Sequence, residues 1–278
     1  MKKQQTILIT GASSGIGKAT AIKLAQEGHK VFAGIRRKTD KAELEKAHKN
    51  ITGVYIDVTN ASSIDKAFWF VMKNTDKINV LINNAGIVVA GPVELLSLNR
   101  LKQQFEINTF GPIMVAQKFL PLLHGSKIIN ISSMAASGIF PYISAYCASK
   151  RALDIFFNSF NVENKDNIKV ISVKPASIKT PIWNRSIEAT RNSFEDLKET
   201  QKIKYEKELI LLEKNALENN FKGIDVEKVT STISKIVKNN NPKPSYNIGF
   251  SAHLAALASK LPICILNKLL KSKINKLK

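Results

Sequence analysis

Cysteine is nearly absent from this 278-residue chain; Cys147 and Cys264 are the two present, which excludes a disulfide framework and points to a reducing interior. No secretory leader opens it, because Met-Lys-Lys-Gln-Gln runs into a five-residue strand-like stretch, Thr6 to Thr10, and then into glycine. Export is therefore not expected, and a cytoplasmic location is. Uninterrupted apolar runs are also missing. The most apolar late stretch, Ala252 to Leu270, is broken by His253, Lys260, Pro262 and Lys268, which argues against a spanning helix. Acids are scarce: 22 Asp+Glu stand against 42 Lys+Arg, for a net charge of +20. Lysine dominates and is dispersed, so most of this charge reads as a solvated surface. No nucleic-acid-binding motif and no basic stripe interleaved with aromatics is present in the core region, so no nucleic-acid partner is expected. DNA affinity depending steeply on salt would reopen that case.

Hydrophobic residues make up 44% of the chain, enough to bury a full core. Short β-branched runs at 5–10, 30–35, 53–57, 79–82, 127–131 and 169–173 read as buried strands. Helical spacing fills the gaps at 16–28, 41–49, 62–74, 98–120 and 144–161. Strict alternation predicts an α/β fold, a Rossmann-like doubly wound parallel sheet flanked by helices on both faces, with a ligand at the carboxyl ends of the strands. No repeat or proline-rich linker precedes residue 175. A polar, helix-prone stretch over 183–220 then breaks the alternation and is expected to form a lid-like insertion. A helix near 225–237 and a strand near 245–250 complete one catalytic domain spanning 1–278, with a basic amphipathic extension over 251–278.

The turn Thr10-Gly-Ala-Ser-Ser-Gly-Ile-Gly17 follows the first strand and opens a helix, the context in which glycines let a backbone approach a pyrophosphate. Its spacing differs from the nucleoside-triphosphate P-loop, since five residues separate the last glycine before lysine from Gly11 and Ala19 follows Lys18. Taken alone, the turn is equally readable as a structural glycine cluster. Tyr146 and Lys150 lie four residues apart, so on a helix they share a face and an ammonium beside the phenol would favour the phenolate. An unperturbed tyrosine ionises at about 10, so that neighbour matters at neutral pH.

These pieces together resemble the short-chain dehydrogenase/reductase family over residues 6–180. The turn Gly11 to Gly17 resembles its cofactor loop, Asn83-Asn-Ala-Gly86 its fourth-strand motif, Asn108 its active-site asparagine, and Ser133, Tyr146 and Lys150 its catalytic centre. The family's spacing of thirteen residues before the tyrosine selects Ser133 over Ser132. The resemblance implies hydride transfer with NAD(P). Tyr146 then serves as general acid/base, Lys150 also binds the nicotinamide ribose, and Ser133 holds the substrate oxygen. Asn108 kinks its helix and holds a water that links Lys150 to solvent. Expected cofactor contacts are Gly11, Ser13, Ser14, Gly15, Ile16, Gly17, Asp57, Val58, Asn84, Ala85, Gly86, Tyr146, Lys150, Pro175, Ile178 and Thr180. No metal is implied.

Cofactor choice turns on the end of the second strand, where Ile35 holds the place of an NAD enzyme's acid. Arg36 and Arg37 suit a 2'-phosphate, so NADP(H) is preferred and NAD(H) remains possible; two loop arginines are also common surface charge. Ala176 replaces the glycine of the family's Pro-Gly-x-x-x-Thr stretch, and would be strained if that position needs a positive φ. Val88, Val89, Met134, Ile139, Phe140, Ile182 and Trp183 suggest an apolar rim, which resembles members acting on steroids, retinoids and other hydrophobic alcohols. Family resemblance also implies a homodimer or homotetramer built on 98–120 and 144–161. The tail is expected to pack over the site or against another subunit; the alternative is a helix lying on an anionic membrane. A catalytically silent nucleotide-sensing regulator of the same fold is the other functional reading.

Overall fold

The computed structural model describes residues 4–195 and 197–275. Position 196 of the expected insertion and positions 276–278 of the tail lie outside the described residues. Seven strands build one sheet: β1 (Thr6–Ile9), β2 (Lys30–Ile35), β3 (Ile51–Tyr55), β4 (Val80–Asn83), β5 (Lys127–Ile131), β6 (Lys169–Pro175) and β7 (Ser245–Ile248). Their spatial order is β3-β2-β1-β4-β5-β6-β7, and every neighbouring pair is parallel. The order reverses between β1 and β4, which opens a crevice at the carboxyl ends of those two strands.

Alternating side chains of the central strands enter two separate cores, one on each face of the sheet. Ile7 and Ile9 join Leu24 and Ala25 of α1 (Gly15–Gln26) and Ile233 of α9 (Val226–Lys238) on one face. Leu8 joins Phe32, Leu81 and Ile128 on the other, beneath Phe68 of α3 (Ala61–Met72), Phe119 of α5 (Gly111–Phe119) and Phe157 of α6 (Ser144–Glu163). Each such fully buried side chain contributes about 2 kcal/mol through apolar area removed from water. The α2 helix (Lys38–Ala47) lies beside β3. At the far end of β5, the Lys127 ammonium donates to the carbonyls of Ile236 and Val237 at 3.2 and 2.7 Å, so a buried cation satisfies the last turn of α9.

Three expectations change. The third strand starts at Ile51 rather than Gly53, because the β2 register already engages Asn50, whose carbonyl accepts the Val31 N–H at 2.9 Å. The single helix expected over 98–120 is α4 (Leu98–Phe105), a π-helical turn (Glu106–Phe110) and α5. Pro112 has no N–H for the carbonyl four residues back, that of Asn108, and this removes one rung of an α-helical ladder there. The polar insertion forms two helices packed on each other, α7 (Ile182–Glu195) and α8 (Glu199–Lys222).

The tail forms α10 (Phe250–Ala258) and α11 (Ile263–Asn275). The first packs on β7 and on the 3-10 turn Met134–Ser137. In the second, every residue from Ile263 to Ser272 is exposed except Leu266 and Leu270, which are half-buried. The tail, expected to pack over the site or against another subunit, thus places α10 against an element of the cleft and leaves α11 largely exposed.

Candidate active site

The glycine turn is fastened to the end of β4 by side-chain bonds. Asn84 and Ala85 donate their backbone N–H groups to Thr10 Oγ1 at 3.1 and 3.2 Å, and Asn84 Nδ2 donates to the carbonyls of Thr10 and Gly11 at 3.0 and 2.9 Å. Gly11 has φ +65°, and a Cβ there would come within 2.7 Å of Ala85 Cα, so both conformation and space demand glycine. Gly15 has φ +55° and faces Thr180, whose Cβ would lie 3.3 Å from an added methyl. The α1 helix starts beside it with Ser14 making no side-chain cap and no acid in the first turn, an electropositive end suited to a phosphate. Gly11, Ser13, Ser14, Gly15 and Ile16 all line one cleft.

Gly17 does not line that cleft. A Cβ on it would sit 2.4 Å from both Asn84 Nδ2 and the Gly11 carbonyl oxygen, so glycine here allows close packing behind the turn.

The two arginines after β2 part company. Ile35 is buried, Arg36 lines the cleft, and Arg37 turns away to form a bidentate pair with Asp40, at 3.0 Å through Nε and 2.8 Å through Nη2. Of the two guanidiniums expected at a phosphate, Arg36 stands in the cleft and Arg37 is paired with Asp40 at the surface. Across the cleft, Asp57 and Val58 occupy the end of β3. Burial pushes the Asp57 carboxyl up, but bonds from the Thr59 N–H and hydroxyl, helped by the Arg36 charge, leave it below the usual carboxylate range.

On α6, Tyr146, Lys150 and Asp154 follow one another at four-residue spacing and so form one stripe. The Ser133 side chain lies near enough to the Tyr146 phenol to favour its ionised form. Ser133 Oγ also accepts the Ala135 N–H at 3.1 Å, which caps the turn that follows β5. Ser132, the neighbour not selected by the spacing to Tyr146, lines the cleft and carries a buried hydroxyl without a hydrogen-bond partner. Burial pushes the phenol up to about 12; Ser133 pulls it down and the Cys147 thiol adds a smaller push.

Lys150 is not among the groups lowering the phenol, contrary to the simple reading of the four-residue spacing. Its ammonium donates to the Ile131 carbonyl at 2.7 Å and stands 6.0 Å from the Tyr146 ring centre. Burial drops Lys150 to about 8, against the opposing pull of Asp154. Asp154 in turn accepts from Ser172 at 2.7 Å and pairs with Lys174 at 2.8 Å, which ties the catalytic helix to β6. The sequence reading missed Asp154, although the next step of the same four-residue spacing marks it.

Asn108 is fully buried in the π-helical turn. It exchanges two bonds with the backbone of Ile87, accepting its N–H at 2.9 Å and donating to its carbonyl at 3.0 Å, and it donates to Ser149 Oγ at 3.2 Å. A Cβ on Gly86 would fall 3.4 Å from Asn108 Oδ1 and 3.5 Å from Lys150 Nζ, so the asparagine stands behind Gly86 next to the lysine.

Asn84, Ala85, Gly86, Pro175, Ile178 and Thr180 line the cleft as expected. Ala176 is free of the anticipated strain: its φ is not positive, and its N–H donates to the Ile248 carbonyl at 2.9 Å in regular pairing with β7. Of the apolar rim, Met134, Phe140, Ile182 and Trp183 reach the cleft, and the Trp183 indole donates to the Ile178 carbonyl at 3.2 Å. Val88 and Val89 are core, and Ile139 faces solvent. Ile107, Ile143 and Arg185 join the lining without a local motif to announce them. Tyr142 adopts φ +67°, a strained conformation for a bulky residue, and its carbonyl accepts the Gly91 N–H at 2.7 Å.

The chain as a whole has clear counterparts among known proteins. The profile of the short chain dehydrogenase family matches residues 5–191. The 3-amino-tetrahydro-pyrrolizinone reductase of Xenorhabdus hominickii is 34% identical over 93% of this chain and 91% of its own. The 3-ketodihydrosphingosine reductase of Bacteroides thetaiotaomicron is 32% identical over 88% of each chain. Among solved structures, a short chain dehydrogenase from Burkholderia cenocepacia in complex with NADP shares the fold at a TM-score of 0.74 and 23% identity, covering 97% of this chain and 98% of that one. This chain belongs to the short-chain dehydrogenase family and is an oxidoreductase acting on CH-OH or C=O groups.

Proposed function

We propose that the protein moves a hydride between NADP, in preference to NAD, and a carbonyl or secondary alcohol of a lipophilic small molecule, with Tyr146 as general acid/base. The observation that carries this reading is the placement of Ser133, Tyr146 and Lys150 in the same cleft as the Gly11 to Ile16 turn. A nicotinamide, when bound, supplies or accepts the hydride. The residues fit such a group: the bare N-terminus of α1 suits its pyrophosphate, Arg36 with no acid at the end of β2 suits a 2'-phosphate, and Ser132 offers an unused hydroxyl.

In reduction, Ser133 positions the carbonyl oxygen and Tyr146 donates a proton to it as negative charge develops there. A phenol held at about 12 is fully protonated at neutral pH, as a proton donor must be. Lys150, at about 8, is close enough to neutrality to return that proton, and Asn108 fixes the Gly86 to Ile87 backbone beside it. The relatives named above are both called reductases, which agrees with this direction. Met134, Phe140, Ile182 and Trp183 give the substrate end an apolar lining, to which the insertion contributes through the first turn of α7. Exposed Phe110, Ile155 and Phe156, on the π-helical turn and α6, support self-association through those elements.

The test is NADPH and NADH oxidation with ketones and aldehydes graded by hydrophobicity, alongside Tyr146→Phe. Turnover in the variant is expected to fall about a thousandfold or more while NADPH binding, followed by fluorescence, persists. Residual activity within tenfold of the parent would defeat the assignment of Tyr146. Cofactor binding without turnover of any carbonyl by the parent would instead favour the nucleotide-sensing reading.

A further inference from the structure

The charge of this protein is not evenly spread at its C-terminal end. From Phe250 to Lys278 the sequence carries six lysines and no aspartate or glutamate, and the last acid before that stretch is Glu227. The same stretch exposes large apolar side chains: Phe250 at 79%, Leu257 at 65%, and Ile263 and Leu269 both at 59%. Scattered apolar exposure is ordinary, but a run of it over two consecutive helices marks a surface that meets something less polar than water.

The arrangement along α11 is two-sided. At 100° per residue, Ile263, Ile265, Leu266, Leu269 and Leu270 fall on one arc, and Asn267, Lys268, Lys271 and Ser272 on the opposite one. Pro262 starts this helix, its carbonyl accepting the N–H groups of Ile265 and Leu266 at 3.0 and 3.2 Å. Thirteen residues reach about 20 Å, too short to cross a bilayer, and no helix among the described residues is long and apolar enough to do so. A helix of this kind lies in the interface plane, its apolar arc among acyl chains and its lysines at headgroup level.

We propose that α10 and α11 form a docking surface for an anionic phospholipid bilayer. The occupant follows from charge. Two copies meeting through this face would set Lys260, Lys268 and Lys271 of each against those of the other without a carboxylate to neutralise them. Anionic headgroups provide that neutralisation and the acyl layer takes up the leucines and isoleucines. The position adds a reason for the contact. The α10 helix packs on the turn Met134–Ser137, and Met134 and Ala135 line the catalytic cleft, so a docked tail holds the cleft mouth close to the lipid. The docking surface stands apart from the catalytic reading and its test involves no turnover.

Sedimentation of the full chain with vesicles decides the matter. It is expected to bind phosphatidylcholine vesicles containing phosphatidylglycerol, not pure phosphatidylcholine, and to be released as salt is raised. The triple variant Lys260→Glu, Lys268→Glu and Lys271→Glu should bind on the order of a hundredfold more weakly. Leu257→Ser with Ile263→Ser and Leu269→Ser should also lose binding, and both variants should keep the parent's Tm because every changed side chain is exposed. Failure of the parent to bind, equal binding to neutral vesicles, or an unaffected lysine variant would overturn the proposal. So would a serine variant whose mass by light scattering drops from oligomer to monomer while vesicle binding is unchanged, because the apolar face would then belong to a second copy.

Discussion

Polar groups in the sheet-borne part of the cleft and those in the α7 and α8 pair are held by different kinds of partner. Thr10, Asn84, Asn108 and Lys150 each bond to backbone atoms of another element, and all but Asn84 are nearly or fully buried. Arg191 meets Glu213, and Lys204 meets Glu94, through exposed side chains at 2.6 and 2.7 Å. Backbone partners cannot rotate away, whereas exposed ion pairs contribute little and trade readily with water. The chemistry of hydride transfer tolerates little misplacement and sits on the first kind of support. The first turn of α7 adds Ile182, Trp183 and Arg185 to the cleft lining, and the second kind of support begins farther along that helix, at Arg191.

The sharpest way to break this contrast is to remove a buried group. Because burial depresses Lys150 to about 8 from an ordinary 10.5, the unfolded chain binds more protons between those values, and stability rises with pH across that window. The parent without cofactor should gain about 3 kcal/mol from this source between pH 8 and 10.5, and Lys150→Met should lack that rise. Urea titrations at each pH check it, and parallel curves for the two proteins would contradict the buried-ammonium account. Above pH 10 the parent should lose stability again, because burial raises Tyr146 to about 12 and the unfolded chain sheds that proton first.

A smaller effect tests Arg36 against Arg37. Arg36→Ala should lower the preference for NADPH over NADH, measured as the ratio of kcat/KM values, by about tenfold. Arg37→Ala should leave the ratio unchanged, since its guanidinium is committed to Asp40. Equal losses would return both arginines to the phosphate. The smallest effect belongs to the exposed pair. Arg191→Ala should leave Tm unchanged in a thermal melt, and a clear drop would mean that α7 and α8 are anchored as firmly as the sheet.

What could be read in the sequence follows the same division. Gly11 and Gly15 were legible because a positive φ admits few alternatives, and β1, β2, β4 and β5 because buried parallel strands write themselves as Val and Ile runs. Asn108 was legible as a misfit within a helix, but the π-helical turn around it was not, since it depends on what Pro112 withholds from a carbonyl four residues away. Arg37 looked like Arg36 because the choice between phosphate and Asp40 is made by the geometry of a turn. Spacing puts Lys150 on the face of Tyr146, while the burial that raises the phenol and lowers the ammonium is set by packing that the spacing does not encode. Tyr142 gave no sign of its strained backbone, and Arg185 reaches the cleft only through the course of α7.

The pairing of β6 with β7 also bears on how the protein is made. The seventh strand, Ser245–Ile248, completes an edge begun by Lys169–Pro175, and the chain in between forms α7, α8 and α9. A nascent chain emerging from the ribosome therefore presents Ser172 to Pro175 as an unpaired rim until Ser245–Ile248 has been synthesised. The Ala176 N–H, in the wall of the cleft, waits for the same strand, since its partner is the Ile248 carbonyl.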